Sequence, residues 1–330
     1  MKHETRHRLI HALADGRFHS GPALGRELGL SRAAVWQQLQ RLPELGLEVW
    51  SVRGKGYRLS RPISLLREAE LREELERRLD GVMRDLTVLQ ETDSTNQRLL
   101  AGARDEDLQG RICLAEFQRA GRGRHGRSWQ MPYGRGLCLS VGWHYPVIPP
   151  DLPALPLAIG VVTRELLTSL GVRELALKWP NDLICPRGKL GGILVENRMQ
   201  HHGPIDLVIG IGINVQPPLT GDWRPEQPAA DLESLLGRLP DRTSLAVQLS
   251  EQLVHLLQRF PEEGFATYLP RWERMDWLRD QPLKVQSAQG VLQGHARGVD
   301  PGGALLLETS RGLRRVLSGE VRVRVDHAAG

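Results

Sequence analysis

Short apolar strands follow one another through the middle of the sequence, and several of them lack an intervening helix. Between about residues 85 and 270 the strand candidates are LTVLQ, ICLAEF, GLCLSVGW, LALKW, GGILVEN and DLVIGIGINV. Helical periodicity appears at about 153–170, 243–260 and 263–272. Parallel neighbours need a crossover of a dozen or more residues, so strands joined by less pair antiparallel. The pattern predicts an α/β (α+β) domain on a mixed or antiparallel sheet.

The length of the chain predicts more than one domain. Its 330 residues exceed the roughly 250–300 residues at which a single hydrophobic core stops growing. A charged helix at about 64–80, with its apolar stripe facing one side, precedes the strands. From about residue 277 short strands alternate with turn residues, as in GHARGVDPGGALLLETSRG. This change predicts a separate, small all-β barrel of about 50 residues.

Basic residues are concentrated in the first fifth of the chain. Residues 1–61 hold 11 Lys and Arg against 5 Asp and Glu, whereas residues 62–330 hold 33 against 34. A compact basic module on a neutral body is typical of a protein that binds a polyanion, because neutralising phosphates releases condensed counterions. Nucleic acid is a better candidate than a membrane surface, because no basic helix here has a large apolar face.

The basic segment has the pattern of a helix-turn-helix. A first helix is expected over 5–15, Ser20 caps a second helix that Gly29 ends, and Ser31 caps a third. In the third helix Val35, Leu39 and Leu42 fall at helical spacing and face inward. Arg and Gln on the outer face can form paired hydrogen bonds with guanine and adenine. Outside lie Arg32, Ala33, Trp36, Gln37 and Gln40, and we assign base contacts to Arg32, Gln37 and Gln38.

A basic hairpin follows the third helix. Two alternating strands flank Arg53-Gly54-Lys55-Gly56, and such a wing can lie on the phosphate backbone through Arg53 and Lys55. The alternative is a small helical bundle used for protein contact, which explains neither the charge nor the wing. We therefore expect a winged helix-turn-helix at 1–63, a central domain at 64–273 and the barrel at 274–330.

The sequence favours a cytoplasmic location. The amino terminus is charged from its second residue, and no stretch is expected to reach the roughly 18 apolar residues of a membrane helix. Cys113, Cys138 and Cys185 are at least 25 residues apart, so no CxxC pair and no disulfide framework is indicated. Buried free thiols are the simplest interpretation.

Glycines alternate with arginines between Gln118 and Trp129. The glycines spell GxGxxG after a predicted strand, but a dinucleotide-binding turn needs a following helix and an acidic residue about 20 positions on. Trp129-Gln130-Met131-Pro132 follows instead, so we reject that interpretation.

The arginines of this run predict an anion-binding lid. Arg122, Arg124 and Arg127 repel one another, and the glycines between them resist ordering. Guanidinium groups bind phosphate or carboxylate through two parallel hydrogen bonds, so an anionic ligand would order the loop. The alternative is a solvated basic loop.

A second polar cluster surrounds a predicted strand-turn-strand unit. Lys178-Trp179-Pro180-Asn181-Asp182 comes first, and Gly188-Lys189-Leu190-Gly191-Gly192 follows. Lysine supplies a point charge for phosphate, and aspartate can hold magnesium. Structural lysines at strand ends are common, so this cluster alone is weak evidence of a site.

Together these motifs resemble one family. Asp93-Ser94-Thr95-Asn96, GRGRHGR, KWPND and KLGGILVE occur in the order and spacing of biotin protein ligases. With SRAAVWQQL ahead of them, the chain is similar to the bacterial bifunctional type that also represses biotin synthesis genes. The resemblance covers nearly the whole chain, so it implies that the central mixed-sheet domain is a ligase domain and that the carboxy-terminal barrel is SH3-like. His125 and Gly191 depart from the family, which often has arginine and alanine there.

The resemblance also implies the site residues. Biotin-binding positions are Ser94, Thr95, Asn96, Gln118, Arg122, Gly123, Arg124 and Lys189. ATP or adenylate positions are Arg124, Lys178, Asn181, Asp182 and Trp223, with Asp182 as the metal ligand. Lys189, Arg122 and Arg124 are the implied catalytic residues.

The implied reaction joins biotin to ATP and then to a protein. Biotinyl-5'-adenylate forms with Mg²⁺, and a lysine of the biotin carboxyl carrier protein of acetyl-CoA carboxylase then takes the biotinyl group. Operator DNA and a second copy of the chain, in a homodimer, are the other implied partners. Two alternatives stay open: a non-catalytic biotin-sensing repressor and a lipoate-type ligase.

Overall fold

The basic amino-terminal segment folds as three helices and a hairpin. This computed structural model describes residues 2–102, 108–199, 204–217, 227–287, 290–317 and 322–325. The elements of the segment, called the winged module below, are α1 Lys2–Leu13, α2 Gly21–Leu28, α3 Arg32–Leu39, β1 Val49–Val52 and β2 Gly56–Leu59.

Serine caps fix the helices of the winged module. The Ser20 and Ser31 hydroxyls accept hydrogen bonds from the backbone N–H groups of Ala23 and Ala34, both at 3.2 Å. Gly29 ends α2 with a φ of 68°, a left-handed conformation that favours glycine. The predicted caps and the wing are confirmed, and α1 begins three residues before its predicted start. Val35 and Leu39 face inward on α3 as predicted, whereas Leu42 is buried in a 3₁₀ turn, Leu42–Leu45, after the helix ends.

The central sheet has seven strands in the order β3-β4-β5-β9-β8-β7-β6. Among the described strands of this sheet, β3 and β4 pair parallel and the other neighbours pair antiparallel, so the predicted mixed sheet is confirmed. The parallel pair needs a crossover, and the helix α5, Thr95–Gly102, supplies it. Periodicity did not predict this helix. The strands are β3 Asp85–Thr92, β4 Arg111–Gln118, β5 Gly136–Tyr145, β6 Ala176–Lys178, β7 Asp182–Cys185, β8 Gly188–Met199 and β9 Ile205–Asn214.

Further helices contribute to the core around the sheet. They are α4 Glu68–Leu79, α6 Leu155–Ser169, α7 Leu232–Leu236, α8 Arg242–Glu263 and α9 Leu269–Glu273. Helix α4 begins at Glu68, later than the predicted start at about 64. The predicted leucine stripe is buried, with Leu71, Leu75 and Leu79 in the helix and Leu66 before it. Arg78 of α4 bonds Glu251 of α8 at 2.8 Å.

One helical segment is more apolar than expected. Within the described residues, Leu152–Ser169 is long and apolar enough to cross a membrane by length and composition, with a mean hydropathy of 1.2. This corrects the expectation that no segment reaches that limit. Half of the segment is buried inside the protein, and Leu155, Ile159 and Val161 belong to the core. Packing within the core therefore accounts for its composition.

The carboxy-terminal segment forms a second, antiparallel sheet. Its order is β13-β12-β11-β10-β14, and its closure into a barrel stays a prediction. Trp179 Nε1 donates to the Gly303 carbonyl at 3.0 Å, which ties this sheet to the KWPND segment. The strands are β10 Pro282–Ser287, β11 Gly290–Val299, β12 Leu305–Thr309, β13 Gly312–Val316 and β14 Arg322–Val325.

Glu91, near the end of β3, joins the winged module to the central sheet. Its carboxylate accepts from Arg6 of α1, lies 2.8 Å from His7 Nε2 and accepts from Arg119 Nη2 at 2.5 Å. Burial alone raises the pKa of Glu91, but hydrogen bonds from His7 and Arg119 and the charge of Arg6 lower it to about 2. Nearby, the Tyr133 N–H donates to the Leu45 carbonyl at 2.9 Å. The winged module is thus bound to the segment that carries the candidate site.

A buried ion pair fixes the segment between the winged module and the sheet. The Arg242 and Glu116 side chains bond each other with 0% and 1% exposure. Glu116 Oε1 also accepts from the Leu66 N–H at 2.6 Å, and Arg242 Nη1 donates to the Ser64 carbonyl at 2.8 Å. The pair therefore holds Ser64 and Leu66 of the connecting segment against β4 and the start of α8.

We predict that Glu91→Gln lowers the free energy of unfolding by about 1–3 kcal/mol at neutral pH, because hydrogen bonds to a carboxylate are lost or weakened. The folded-state pKa of Glu91 lies below its unfolded value, so the stabilisation is complete above the unfolded pKa and is lost as the pH falls toward 2. Urea titrations from pH 7 to pH 3 should show the difference from wild type shrinking.

The matched control is Glu76→Gln on the exposed side of α4, which should leave the urea midpoint unchanged. Equal midpoints for wild type and Glu91→Gln at pH 7 would show that this cluster contributes nothing.

Candidate active site

The DSTN segment and Gln118 meet at one edge of the sheet. In the parallel pair, Thr92 of β3 lies opposite Gln118 of β4, so the residues after β3 reach the end of β4. The Thr95 N–H donates to Gln118 Oε1 at 2.8 Å, and the Thr95 Oγ lies 3.1 Å from the same atom. Ser94, Thr95 and Asn96 are buried. Hydroxyl and amide groups held in a buried place can recognise a small polar ring.

Two glycines of β9, which the sequence analysis did not select, shape this place. A methyl group at Gly210 would overlap the Asn96 amide, and one at Gly212 would lie 2.5 Å from the Trp129 ring. Glycine therefore permits both side chains to lie directly on the strand. The signal in the sequence was two alternate glycines within the apolar run VIGIGIN.

The arginine-rich loop has more internal structure than charge repulsion predicts. The Trp129 N–H donates to the Gly121 carbonyl at 2.7 Å, and the Gly123 N–H donates to the Arg127 carbonyl at 2.8 Å. His125 and Gly126 have left-handed φ values of 56° and 70°. The predicted absence of a following helix is confirmed. Ordering of this loop by an anion stays a prediction.

The arginines of the loop face carboxylates of the sheet. Arg122 Nη1 lies 3.7 Å from Glu196 Oε1 on β8. Burial lowers the pKa of Arg124, and the negative charge of Asp182 opposes that shift. Arg127 stays exposed.

The second cluster lies beside the loop. Lys189 Nζ is 2.6 Å from Asp182 Oδ1 and 5.4 Å from the centre of the Trp129 ring. Asn181 Nδ2 donates to the Ile193 carbonyl at 2.7 Å, and Lys178 pairs with Asp182 in the β6–β7 register. Residues far apart in sequence are therefore neighbours around Trp129. Trp223 lies outside the described residues.

The described residues hold no group of three or more His, Cys, Asp or Glu that could bind a metal by themselves. The three cysteines are buried and free, as predicted. Burial raises the pKa values of Cys113 and Cys138 to about 12, so these thiols stay protonated and are poor nucleophiles.

The predicted DNA-contact residues of the winged module differ in their exposure to solvent. Arg32 and Gln37 on α3 and Arg53 and Lys55 on the wing are exposed. Gln38 is half-buried, and its Oε1 is buried without a hydrogen-bond partner. Base reading by Gln38 therefore requires its side chain to turn outward. Arg58 of β2, which the sequence analysis did not select, has its guanidinium 4.4 Å from the Trp50 ring centre.

Comparisons with known proteins match all three parts of the chain. The family model for the biotin/lipoate A/B protein ligase family matches residues 88–214, an HTH domain model matches 5–58, and the biotin protein ligase C terminal domain model matches 280–324. The bifunctional ligase/repressor BirA of Escherichia coli K12 is 40% identical over 317 residues, which is 96% of each chain. The chain belongs to the bifunctional ligase/repressor family.

Two further relatives agree with this membership. The bifunctional ligase/repressor of Bacillus subtilis 168 is 30% identical over 94% of this chain and 95% of its own. The Aquifex aeolicus biotin protein ligase, solved in complex with biotin and ATP, is 28% identical with a TM-score of 0.62. That structure covers 74% of this chain and all of its own. The resemblance stated from the motifs is confirmed.

For this ligase/repressor, we predict that Gly212→Ala weakens biotin binding at least about tenfold, because the new methyl group would displace the Trp129 ring. Calorimetric titration of the purified protein with biotin measures the effect. Gly102→Ala is the control, since a methyl group there meets only the end of the Arg111 side chain at 3.9 Å. If a folded Gly212→Ala protein binds biotin with wild-type affinity, Trp129 does not contribute to biotin binding.

Proposed function

We propose that this chain is an ATP-dependent biotin protein ligase that also represses biotin synthesis genes. The observation that carries the ligase proposal is that Asp182 pairs with Lys189 and its charge acts on Arg124, while Lys189 lies over the ring of Trp129 in the loop that follows Gln118. The winged module with its exposed basic turn supports the repressor. Family membership supports both activities.

The first step joins two anions. A carboxylate oxygen of biotin attacks the α-phosphorus of ATP, pyrophosphate leaves, and biotinyl-5'-adenylate remains. Positioning and charge stabilisation can carry such a transfer without an enzyme nucleophile. Lys189, Arg122 and Arg124 are the proposed catalytic cations. Ser94, Thr95, Asn96, Gln118 and Gly123 would hold biotin with them, and Lys178, Asn181 and Asp182 would hold the nucleotide.

Asp182 is the proposed contact for Mg²⁺. One carboxylate fits a magnesium ion that arrives on the ATP phosphates, because Mg²⁺ keeps several waters and commonly takes only one or two protein ligands. Asp182 already neutralises Lys189 at 2.6 Å. The ion would add positive charge next to the phosphates.

The second step transfers biotin to the carrier. The adenylate is a mixed anhydride that water destroys, so the loop over the site has to exclude water. A lysine amine of the biotin carboxyl carrier protein attacks the biotinyl carbonyl, an amide forms, and AMP leaves. No cysteine or serine nucleophile is needed.

The remaining proposals concern assembly and location. We keep the domain boundaries 1–63, 64–273 and 274–330 and place the protein in the cytoplasm, where ATP, the carrier protein and operator DNA are found. Adenylate would order the arginine-rich loop, and the ordered loop would favour a homodimer through the central sheet. A two-fold dimer would present two winged modules to a two-fold operator.

Two rival functions are less well supported. A non-catalytic biotin sensor would not need Lys189 and Arg124 near the same carboxylate, Asp182. A lipoate-type ligase would not need a winged module or the DSTN segment.

One experiment tests both activities. Wild-type protein with biotin, MgATP and apo carrier domain should add a single biotinyl group to the carrier, read by mass, and lipoate should add nothing. Biotin and MgATP should also tighten binding to a fluorescent duplex from upstream of the biotin synthesis genes. Lys189→Ala should lose at least about 10²-fold in the transfer rate, because one charge-stabilising donor is removed.

In the Lys189→Ala protein, binding to the duplex should no longer respond to biotin and MgATP. An unmodified carrier with wild-type protein would contradict the ligase. If wild type binds the duplex equally well with and without biotin and MgATP, the proposed regulation is contradicted.

A further inference from the structure

Glu196 contacts both the biotin motif and the loop over it. Its Oε2 accepts from Asn96 Nδ2 at 2.8 Å, and its Oε1 lies 3.7 Å from Arg122 Nη1. Glu196 lies on β8 at the end of KLGGILVE, and its side chain is 24% exposed. No role was assigned to this carboxylate by the motifs.

Two acceptors orient the Asn96 amide: the Glu196 carboxylate at 2.8 Å and, more weakly, the Leu194 carbonyl at 3.4 Å from Asn96 Nδ2. An ionised carboxylate only accepts hydrogen bonds, so Asn96 must turn its NH₂ toward Glu196. Its Oδ1 then points to the Ser140 Oγ, 2.6 Å away. Asn96 lies directly on Gly210 and is buried, so the amide has little room to adopt another position.

Ser140 links the orientation of the Asn96 amide to the hydroxyl of Thr95. Ser140 is fully buried and has one hydroxyl proton. That proton must go to Asn96 Oδ1, because two oxygens at 2.6 Å without a proton would repel each other. The Thr95 Oγ then has two acceptors within reach, the Ser140 Oγ at 2.7 Å and the Gln118 Oε1 at 3.1 Å. Its proton goes to Ser140, because that contact is the shorter one and Gln118 Oε1 already accepts from the Thr95 N–H. The Thr95 Oγ is left with lone pairs alone.

We propose that Glu196 is a positioning residue that selects the substrate by fixing the direction of this hydrogen-bond chain. The chain runs from Thr95 to Ser140 to Asn96 to Glu196, and it leaves the Thr95 oxygen as an acceptor. The matching ligand group is an N–H donor of a cyclic urea. A dithiolane ring has no such donor, so this acceptor discriminates against lipoate. The inference rests on the proposed biotin site and adds the residue that determines which of its groups donate and which accept hydrogen bonds.

Substitutions at the two ends of the chain separate hydrogen bonding from charge. Glu196→Gln can still accept from Asn96 through its Oε1 but no longer carries the charge that faces Arg122. Glu196→Leu removes the acceptor, and Ser140→Ala interrupts the chain without touching Arg122. Leaving a buried polar group without its partner commonly changes affinity about ten- to a hundredfold.

Calorimetric titration with biotin, in full-length protein, tests the proposal. Glu196→Leu and Ser140→Ala should each raise the Kd for biotin at least about tenfold, whereas Glu196→Gln should stay within about threefold of wild type. The Kd for ATP should stay near the wild-type value in all three. Thermal melts check folding, and Ser140→Ala provides the test if Glu196→Leu does not fold.

Two outcomes would overturn the inference. One is a biotin Kd in Glu196→Leu and Ser140→Ala equal to that of wild type. The other is an equal loss in Glu196→Gln and Glu196→Leu, which would make the charge and not the acceptor decisive. If wild type binds biotin but transfers none to the carrier, the ligase proposal fails while this one stands. A wild type that does not bind biotin overturns both.

Discussion

Cationic side chains that must neutralise two anionic substrates repel one another until those substrates arrive. In this protein carboxylates of the central sheet oppose that repulsion. Asp182 pairs with Lys189, and Glu196 lies near Arg122. The charge of Asp182 also offsets part of the effect of burial on Arg124. The site can therefore hold positive charge in a folded structure, and an arriving carboxylate or phosphate competes with these internal partners for the same cations.

The same segments that form the site also bind the winged module. Glu91 lies two residues before Asp93, and Arg119 directly follows Gln118. Both belong to the cluster that contacts Arg6 and His7 of α1. On the other side of β4, Glu116 and Arg242 fix the connecting segment. A shift of the arginine-rich loop would thus act on residues that hold α1, which gives the two proposed activities a physical connection.

The sequence predicted those features that depend on residues close to one another along the chain. Ser20, Gly29 and Ser31 act locally on their helices, and the leucines of α4 follow a period of 3.6, so their positions could be predicted. Helix α5 was missed because its buried start, Thr95 and Asn96, is polar and its apolar stripe is short. Gln38 was assigned a base contact although helical spacing did not place it among the outward residues, and contacts with the rest of the module bury its Oε1.

Sequence motifs select the charged residues of the candidate site but not the residues that support them. Arg124, Asp182 and Lys189 carry charge that a motif reveals. Gly210, Gly212 and Ser140 matter through contacts with Asn96 and Trp129, which only the pairing of β5, β8 and β9 creates. Closure of the barrel and the position of Trp223 stay predictions.

A double-mutant cycle tests most directly whether the two distant cations serve one reaction centre. The rate of biotinyl-adenylate formation, followed by pyrophosphate release, is measured in wild type, Arg124→Ala, Lys189→Ala and the double variant. If both cations stabilise the same developing charge, the loss in the double variant differs from the product of the single losses by more than about twofold. If the loss in the double variant equals the product of the two single losses, the cations act independently and a shared centre is contradicted.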